Sequence, residues 1–242
     1  MTRNARFYAK VSLFTVLCSL TLIPARAAAQ TEHMDWAQEL VDHLSPTHNF
    51  YGSSPFYIKW AGVNGANQYE NRTLCANFLT ALIQQAYSLT STDIRNWTGS
   101  TSPTANLYYS TIVNQNGFTR IHNMQDIVPG DVIAIRYDDM LNPTGHVSVV
   151  EELPVQRVAT APIVPGTQQY EVWILDSTQR GHGALDSRLK ADGTWVSGAG
   201  RGIMRFYADS STGAVVGYTW SLSHHSVYYD SSVRSVAVGR LN

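Results

Sequence analysis

The sequence lacks long apolar runs. Its most apolar stretch, residues 11–22, is too short for a membrane-spanning helix, which needs about 20 apolar residues. Basic residues precede this stretch and small residues around Ala27 follow it. This arrangement predicts a secretory signal peptide over residues 1–29, cleaved before Gln30, with Ala27/Ala28 as the competing bond and an uncleaved anchor as the alternative. We therefore predict a secreted or periplasmic protein with no integral membrane segment after cleavage.

Cysteine is equally scarce. The chain contains two cysteines, Cys18 inside the apolar stretch and Cys75 further along. Cleavage of the leader removes Cys18, and a single remaining thiol cannot form an internal disulfide. Cys75 is therefore an inert packing residue, an intermolecular cross-link or a nucleophile.

Charged residues make up only 14% of the chain. Four of the 17 basic residues lie within residues 1–29, which leaves 13 basic and 18 acidic residues, a net charge of −5. This balance argues against a nucleic-acid binder, which needs a basic surface to neutralise phosphates. Residues 30–242 are enough for one substantial core, and we predict that they form a single domain whose oligomeric state stays open.

Helical spacing of apolar residues marks the first half of the chain. It predicts helices over residues 34–43 and Cys75–Tyr87, with Thr73 as the cap of the second and residues 45–73 as a long loop. Ser102 and Pro103 predict the start of a third helix that ends at Gly117.

The pattern becomes strand-like from Phe118 onward. The predicted strands are residues 132–136, 146–150, 170–175, 202–207, 214–220 and 233–241. Residues 153–169 contain three prolines and are interpreted as an excursion from the sheet. Helices followed by an antiparallel sheet are typical of an α+β fold.

Three residues in this arrangement suit nucleophilic catalysis. Cys75 falls in the first turn of its helix, where free N–H groups favour a thiolate. His146 begins a strand after Gly145 and is a candidate base for the thiol. Asp176 ends another strand, where its carboxylate would accept a hydrogen bond from the second imidazole nitrogen and orient the ring. The rival interpretation of Asp176 is an ordinary turn residue before Ser177.

Three short motifs occur in a particular order. Residues 75–79 read Cys-x-x-Phe-hydrophobic, residues 128–134 contain Pro-Gly-Asp before an apolar strand, and residues 145–150 contain His-Val-x-hydrophobic. Together they resemble the papain-like cysteine hydrolases of the NlpC/P60 and CHAP group. The resemblance implies a papain-like fold, with N-terminal helices packed on an antiparallel sheet or half-barrel.

The same resemblance implies roles for the residues that match the motifs. Cys75 would be the nucleophile, His146 the general base and acid, and Asp176 the orienting group. The implied reaction is hydrolysis of an amide or peptide bond, with peptide or peptidoglycan-like material as substrate. We expect no cofactor.

Other residues have weaker signals. Gln68 and Tyr69 precede the cysteine helix and are candidate donors to an oxyanion. His182 lies between two glycines and is either an alternative base, a substrate-binding residue or part of a surface loop. His224 and His225 are adjacent, so in a strand they would point to opposite faces, and no metal site is expected. The alternative function is a non-catalytic envelope-binding or adhesion domain that uses an aromatic groove.

Overall fold

The structure, a computed structural model, describes residues 31–52, 54–138 and 144–242. The predicted signal peptide, residues 1–29, lies outside the described residues. The described residues contain four α-helices: α1 (Glu32–His43), α2 (Cys75–Tyr87), α3 (Ser91–Thr98) and α4 (Ala105–Val113). None of these helices is long and apolar enough to span a membrane.

Three short strands precede α2 and form a small sheet. They are β1 (Asn49–Tyr51), β2 (Tyr57–Lys59) and β3 (Glu70–Thr73). The middle strand β3 pairs in parallel with β1 and antiparallel with β2. This sheet leads the chain directly from Thr73 into Cys75 at the start of α2.

The remaining strands form one nine-stranded sheet. They are β4 (Phe118–Ile121), β5 (Val132–Tyr137), β6 (Gly145–Val150), β7 (Val155–Arg157), β8 (Thr167–Thr178), β9 (Gly198–Asp209), β10 (Val215–Thr219), β11 (Tyr228–Asp230) and β12 (Arg234–Leu241). Their order is β11-β10-β9-β8-β6-β5-β12-β4, with β7 beside β8. All of these pairings are antiparallel.

The large sheet curls into a half-barrel. Strands β11 and β12 are not neighbours in the strand order, yet the Arg234 guanidinium of β12 lies 3.7 Å from the ring centroid of Tyr229 in β11. The helices and this antiparallel sheet confirm the predicted α+β class.

Helix α2 has an apolar face because its hydrophobic residues recur every three or four positions. Phe78, Leu79 and Leu82 on that face are fully buried in a core cluster that also contains Val147 of β6 and Leu175 of β8. Burial of each such side chain contributes about 1.5–3 kcal/mol to folding. Because α2 lies across β6 and β8, its first residue is held near the strands that carry His146 and Asp176.

Several predicted elements agree with the structure and others need correction. Helix α2 has the predicted bounds, whereas α3 was not predicted although Thr90 and Asp93 form a reciprocal capping box at its start. The predicted helix from Ser102 to Gly117 is wrong at both ends, because α4 spans Ala105–Val113. Thr104 caps α4, because its hydroxyl accepts a hydrogen bond from the Leu107 N–H.

Two segments interpreted as irregular contain strands. Residues 45–73 include β1, β2 and β3, and residues 153–169 include β7 and the first residues of β8. Thr73 does not cap α2, because its hydroxyl donates to the Asn71 side chain at 2.7 Å and Leu74 occupies the cap position. The short strands β1, β2, β3 and β7 form because they pair with other strands, and not because their apolar residues alternate locally.

Candidate active site

Two contacts between a side chain and a backbone carbonyl bring Cys75, His146 and Asp176 together. The Ser177 hydroxyl, next to Asp176, donates to the Thr73 carbonyl at 3.0 Å and ties the end of β8 to the start of α2. The Cys75 Sγ lies 3.9 Å from the carbonyl oxygen of Gly145, the residue before His146. These contacts fix the first turn of α2 against the ends of β6 and β8.

Gly145 has a steric reason to be glycine. A Cβ at this position would lie 2.0 Å from the carbonyl oxygen of Ile135 on the paired strand β5. Real Cβ atoms do not approach a carbonyl oxygen this closely, so any side chain would push β6 away from β5. The close pairing of β5 and β6 at this point holds His146 in its place.

His146 interacts with both of its predicted partners. Its Nε2 lies 2.6 Å from the Asp176 Oδ2, and the Cys75 thiol lies near enough to the ring to help raise its pKa. Since Nε2 faces the carboxylate, Nδ1 is the nitrogen left for the thiol. Burial lowers the pKa of His146, but the hydrogen bonds and charges of Asp176 and Cys75 outweigh it and raise the pKa to about 9.

Asp176 is the centre of a larger buried cluster. His182 Nε2 lies 2.8 Å from Oδ2, the oxygen that also faces His146, and Arg188 Nη1 donates to Oδ1 at 2.8 Å. Burial alone raises the pKa of the Asp176 carboxyl. The nearby charges of Arg188 and His182 and the hydrogen bonds from the two histidines hold it well below its usual value.

The segment between β8 and β9 supplies the cations of this cluster. The Arg188 guanidinium also donates to both oxygens of Asp186, at 2.8 and 2.7 Å, and to the Gly198 carbonyl at 3.0 Å. The Asp186 carboxylate in turn accepts the backbone N–H of His182 at 2.7 Å. Sequence reasoning missed Asp186 and Arg188, because loop residues of this kind carry no periodic pattern or motif.

Trp220 covers both histidines. Its ring centroid lies 4.8 Å from that of His146 in an edge-on arrangement and 4.3 Å from that of His182. The indole N–H donates to the Arg180 carbonyl at 3.2 Å, which fixes the ring. An aromatic cover of this kind excludes water and strengthens the electrostatic interactions beneath it.

Tyr51 lies close to the same groups. Burial, followed by the negative charges of Cys75 and Asp176, raises the pKa of Tyr51 to about 12. The hydroxyl therefore keeps its proton and stays a hydrogen-bond donor at neutral pH. The sequence offered only an aromatic residue in a presumed loop, with no signal that β1 would bring it to the site.

The candidate donors to an oxyanion form two groups, the first-turn N–H groups of α2 and the side chains of Gln68 and Tyr69, and only the first group lies at the site. Leu74 provides no side-chain cap, so it leaves the first-turn N–H groups of α2 without that partner. The oxyanion candidates Gln68 and Tyr69 are not brought to the cluster. The Gln68 amide donates to Glu70 at 2.7 Å, and the Tyr69 hydroxyl donates to Glu39 at 2.5 Å, both at the exposed surface.

Among the described residues, the side chains of His146, Asp176 and His182 bring ligand-type atoms within 4.8 Å of one another. The separations of 2.6 and 2.8 Å from the histidines to Asp176 are hydrogen-bond lengths. Ligand atoms around a tetrahedral zinc are about 3.3 Å apart, given metal–ligand distances near 2.0–2.1 Å. The geometry therefore favours shared protons in this cluster. The ring centroids of His224 and His225 lie 3.8 Å apart at an angle of 45°, and both residues lie in a turn rather than in a strand.

The fold and the cluster define an α+β protein with a buried cysteine–histidine–aspartate arrangement. No family model and no solved structure matches the chain. The chain is 32% identical over 219 residues to the uncharacterized protein R653 of Acanthamoeba polyphaga mimivirus, and the match covers 86% of this chain and 95% of the viral protein. The chain belongs to the same family as that viral protein.

Proposed function

We propose that this protein is a papain-like cysteine hydrolase that cleaves an amide or peptide bond. The observation that carries the proposal is the environment of His146, which lies 2.6 Å from the Asp176 carboxylate and whose pKa is raised by both that carboxylate and the Cys75 thiol. Catalytic thiols are activated by this combination of imidazole, orienting acid and helix N-terminus. Cys75 is the nucleophile, His146 the base and acid, and Asp176 the orienting group.

The reaction has two steps. The Cys75 thiolate attacks the substrate carbonyl carbon, His146 gives its proton to the leaving amine, and a thioester remains. Water then attacks the thioester, His146 takes a proton from that water, and the carboxylic acid leaves as the thiolate is restored. The first-turn N–H groups of α2 and the Tyr51 hydroxyl are the candidate donors to the oxyanion that forms in each step.

The proposed substrate class follows from the sequence. Peptide or peptidoglycan-like material is proposed because the three sequence motifs resemble those of envelope hydrolases and because residues 1–29 predict secretion or a periplasmic location. The proposed chemistry needs no cofactor.

The test is the rate at which iodoacetamide alkylates Cys75 as a function of pH, in the wild type and in His146→Ala. A wild-type midpoint well below that of a free thiol, about 8.5, which the substitution moves back towards that value, supports the pair. Cys75→Ser identifies the labelled residue. A slow reaction that is the same in both proteins refutes the proposal.

One observation favours a non-catalytic binding domain as the second candidate. Only 6% of Cys75 and 4% of His146 is exposed, so substrate reaches the sulfur only through a narrow opening or after local movement. A packing cysteine alkylates only when the protein unfolds. Labelling in increasing urea separates the two candidates, because an active thiol reacts before the unfolding transition and a packing thiol reacts with it.

A further inference from the structure

Both ring nitrogens of His182 face oxygen acceptors. Nδ1 lies 2.8 Å from the Trp220 carbonyl oxygen, and Nε2 lies 2.8 Å from the Asp176 Oδ2. A carbonyl oxygen accepts hydrogen bonds and cannot donate one. The ring itself is nearly inaccessible, with 2% of the residue exposed, so water does not replace either partner.

A neutral imidazole cannot satisfy this arrangement. It has one N–H, so either tautomer would leave a nitrogen lone pair facing an oxygen lone pair at 2.8 Å in a buried site. Protonating Asp176 would remove that conflict. However, Oδ1 accepts from the Arg188 guanidinium at 2.8 Å and Oδ2 faces the His146 ring, which are the partners of an ionised carboxylate.

We propose that His182 is held as an imidazolium and acts as a positioning residue, a second counter-cation that fixes Asp176 beside His146. His182 is then neither the alternative base nor a substrate-binding residue. The effect on Cys75 chemistry rests on the proposed function, whereas the protonation of His182 does not.

The charges around Asp176 balance under this assignment. The cations are His182 and Arg188, and the anions are Asp176 and Asp186. The Cys75–His146 pair adds no net charge, whether its proton lies on sulfur or on nitrogen. Tyr51 of β1 also faces the cluster but keeps its proton, and Trp220 of the segment after β10 is uncharged. A buried group of ions needs this balance, because each uncompensated charge carries a large desolvation cost.

The assignment also predicts how His182 affects the nucleophile. The ring centroids of His146 and His182 are 6.1 Å apart, so a charged His182 repels the imidazolium form of His146. We expect the repulsion on His146 to exceed the attraction on Cys75, because His146 and His182 face the same oxygen of Asp176. Replacing His182 by a neutral residue therefore favours the thiolate–imidazolium pair.

The primary test is nitrogen-15 NMR of the wild-type protein at about pH 8, where an ordinary histidine is neutral. We expect two ring N–H signals for His182, assigned through contacts with the Trp220 ring and lost in His182→Gln. A single ring N–H overturns the proposal. A zinc-dependent loss of the Nε2–H signal also overturns it, because that result identifies a metal site. This readout stands even if Cys75 proves unreactive.

The second test compares alkylation rates of Cys75 below the wild-type midpoint. His182→Gln is expected to react about two- to tenfold faster, since a neutral side chain removes the repulsion. Asp176→Asn is expected to react more slowly, because it removes the attraction. Equal slowing by both substitutions indicates a merely structural His182 and overturns the positioning role. If no variant reacts before unfolding, the proposed function fails and the NMR result alone decides the protonation.

Discussion

The sharpest stability prediction concerns Arg188. Its guanidinium donates four hydrogen bonds, two to Asp186, one to Asp176 and one to the Gly198 carbonyl, and only 3% of the residue is exposed. In Arg188→Met, the methionine side chain replaces the aliphatic part of the arginine but carries no charge. It leaves two buried carboxylates without their shared cation, and breaking a buried pair in this way costs about 3–5 kcal/mol.

The assay is urea unfolding followed by tryptophan fluorescence at neutral pH. Lys59→Met is the matched control, because it removes a cation that pairs with Glu70 at 2.9 Å but at the surface. We expect little change in the control, since exposed ion pairs contribute little. We also expect Asp186→Asn to recover part of the loss when combined with Arg188→Met, because one of the uncompensated charges is then removed.

A small effect of Arg188→Met would contradict the burial of these carboxylates as ions. If Arg188→Met lowers the free energy of unfolding by less than about 1 kcal/mol, the carboxylates are not buried as ions and the charge balance around Asp176 is wrong. The change would be large against a total stability that is typically about 5–15 kcal/mol. The expected loss of about 3–5 kcal/mol is therefore large enough to be measured by urea unfolding.

Three further predictions address the catalytic pair and its frame. The raised pKa of His146 means that its stabilising contribution is fully present below about pH 6.5 and is lost as pH rises through about 9. Urea unfolding across that range should show a decline in the wild type that is reduced in Asp176→Asn. Gly145→Ala should destabilise the fold by more than about 2 kcal/mol, measured by thermal unfolding, because the new Cβ meets the Ile135 carbonyl oxygen. Tyr51→Phe should lower the hydrolytic rate about 10- to 1000-fold and leave Cys75 alkylation nearly unchanged; equal rates of hydrolysis exclude the hydroxyl as an oxyanion donor.

Local patterns predicted the part of the site that lies on regular elements. The apolar spacing of Phe78, Leu79 and Leu82 defines α2, and this places Cys75 at its start. The strands that carry His146 and Asp176 are apolar enough to be recognised, although β8 extends beyond its predicted ends. Each candidate lies near the end of such an element, so the elements alone allow the three residues to meet. The resemblance of the ordered motifs to a known family turned that possibility into a prediction.

The sequence held no comparable signal for the rest of the site. Asp186 and Arg188 lie in an irregular segment. Two of the partners of Arg188, Asp176 and Gly198, are 12 and 10 positions away along the chain. Tyr51 reaches the site through the parallel pairing of β1 with β3, which brings together residues 22 positions apart. Contacts of this kind depend on the whole fold, whereas periodicity reports only which face of an element is buried.

The segment between β8 and β9 is therefore part of the site rather than a decoration of the sheet edge. Asp176 is fully buried, and a carboxyl group in such a place without cations would take up a proton. A protonated Asp176 would no longer attract the imidazolium of His146, so the thiolate of Cys75 would lose its partner. Because Arg188 keeps the carboxylate ionised, whereas a charge on His182 would oppose the imidazolium of His146, the reactivity of the thiol on α2 depends on a segment that contains none of the three candidate catalytic residues. Substitutions there should change thiol reactivity without any change at the three residues that would perform the chemistry.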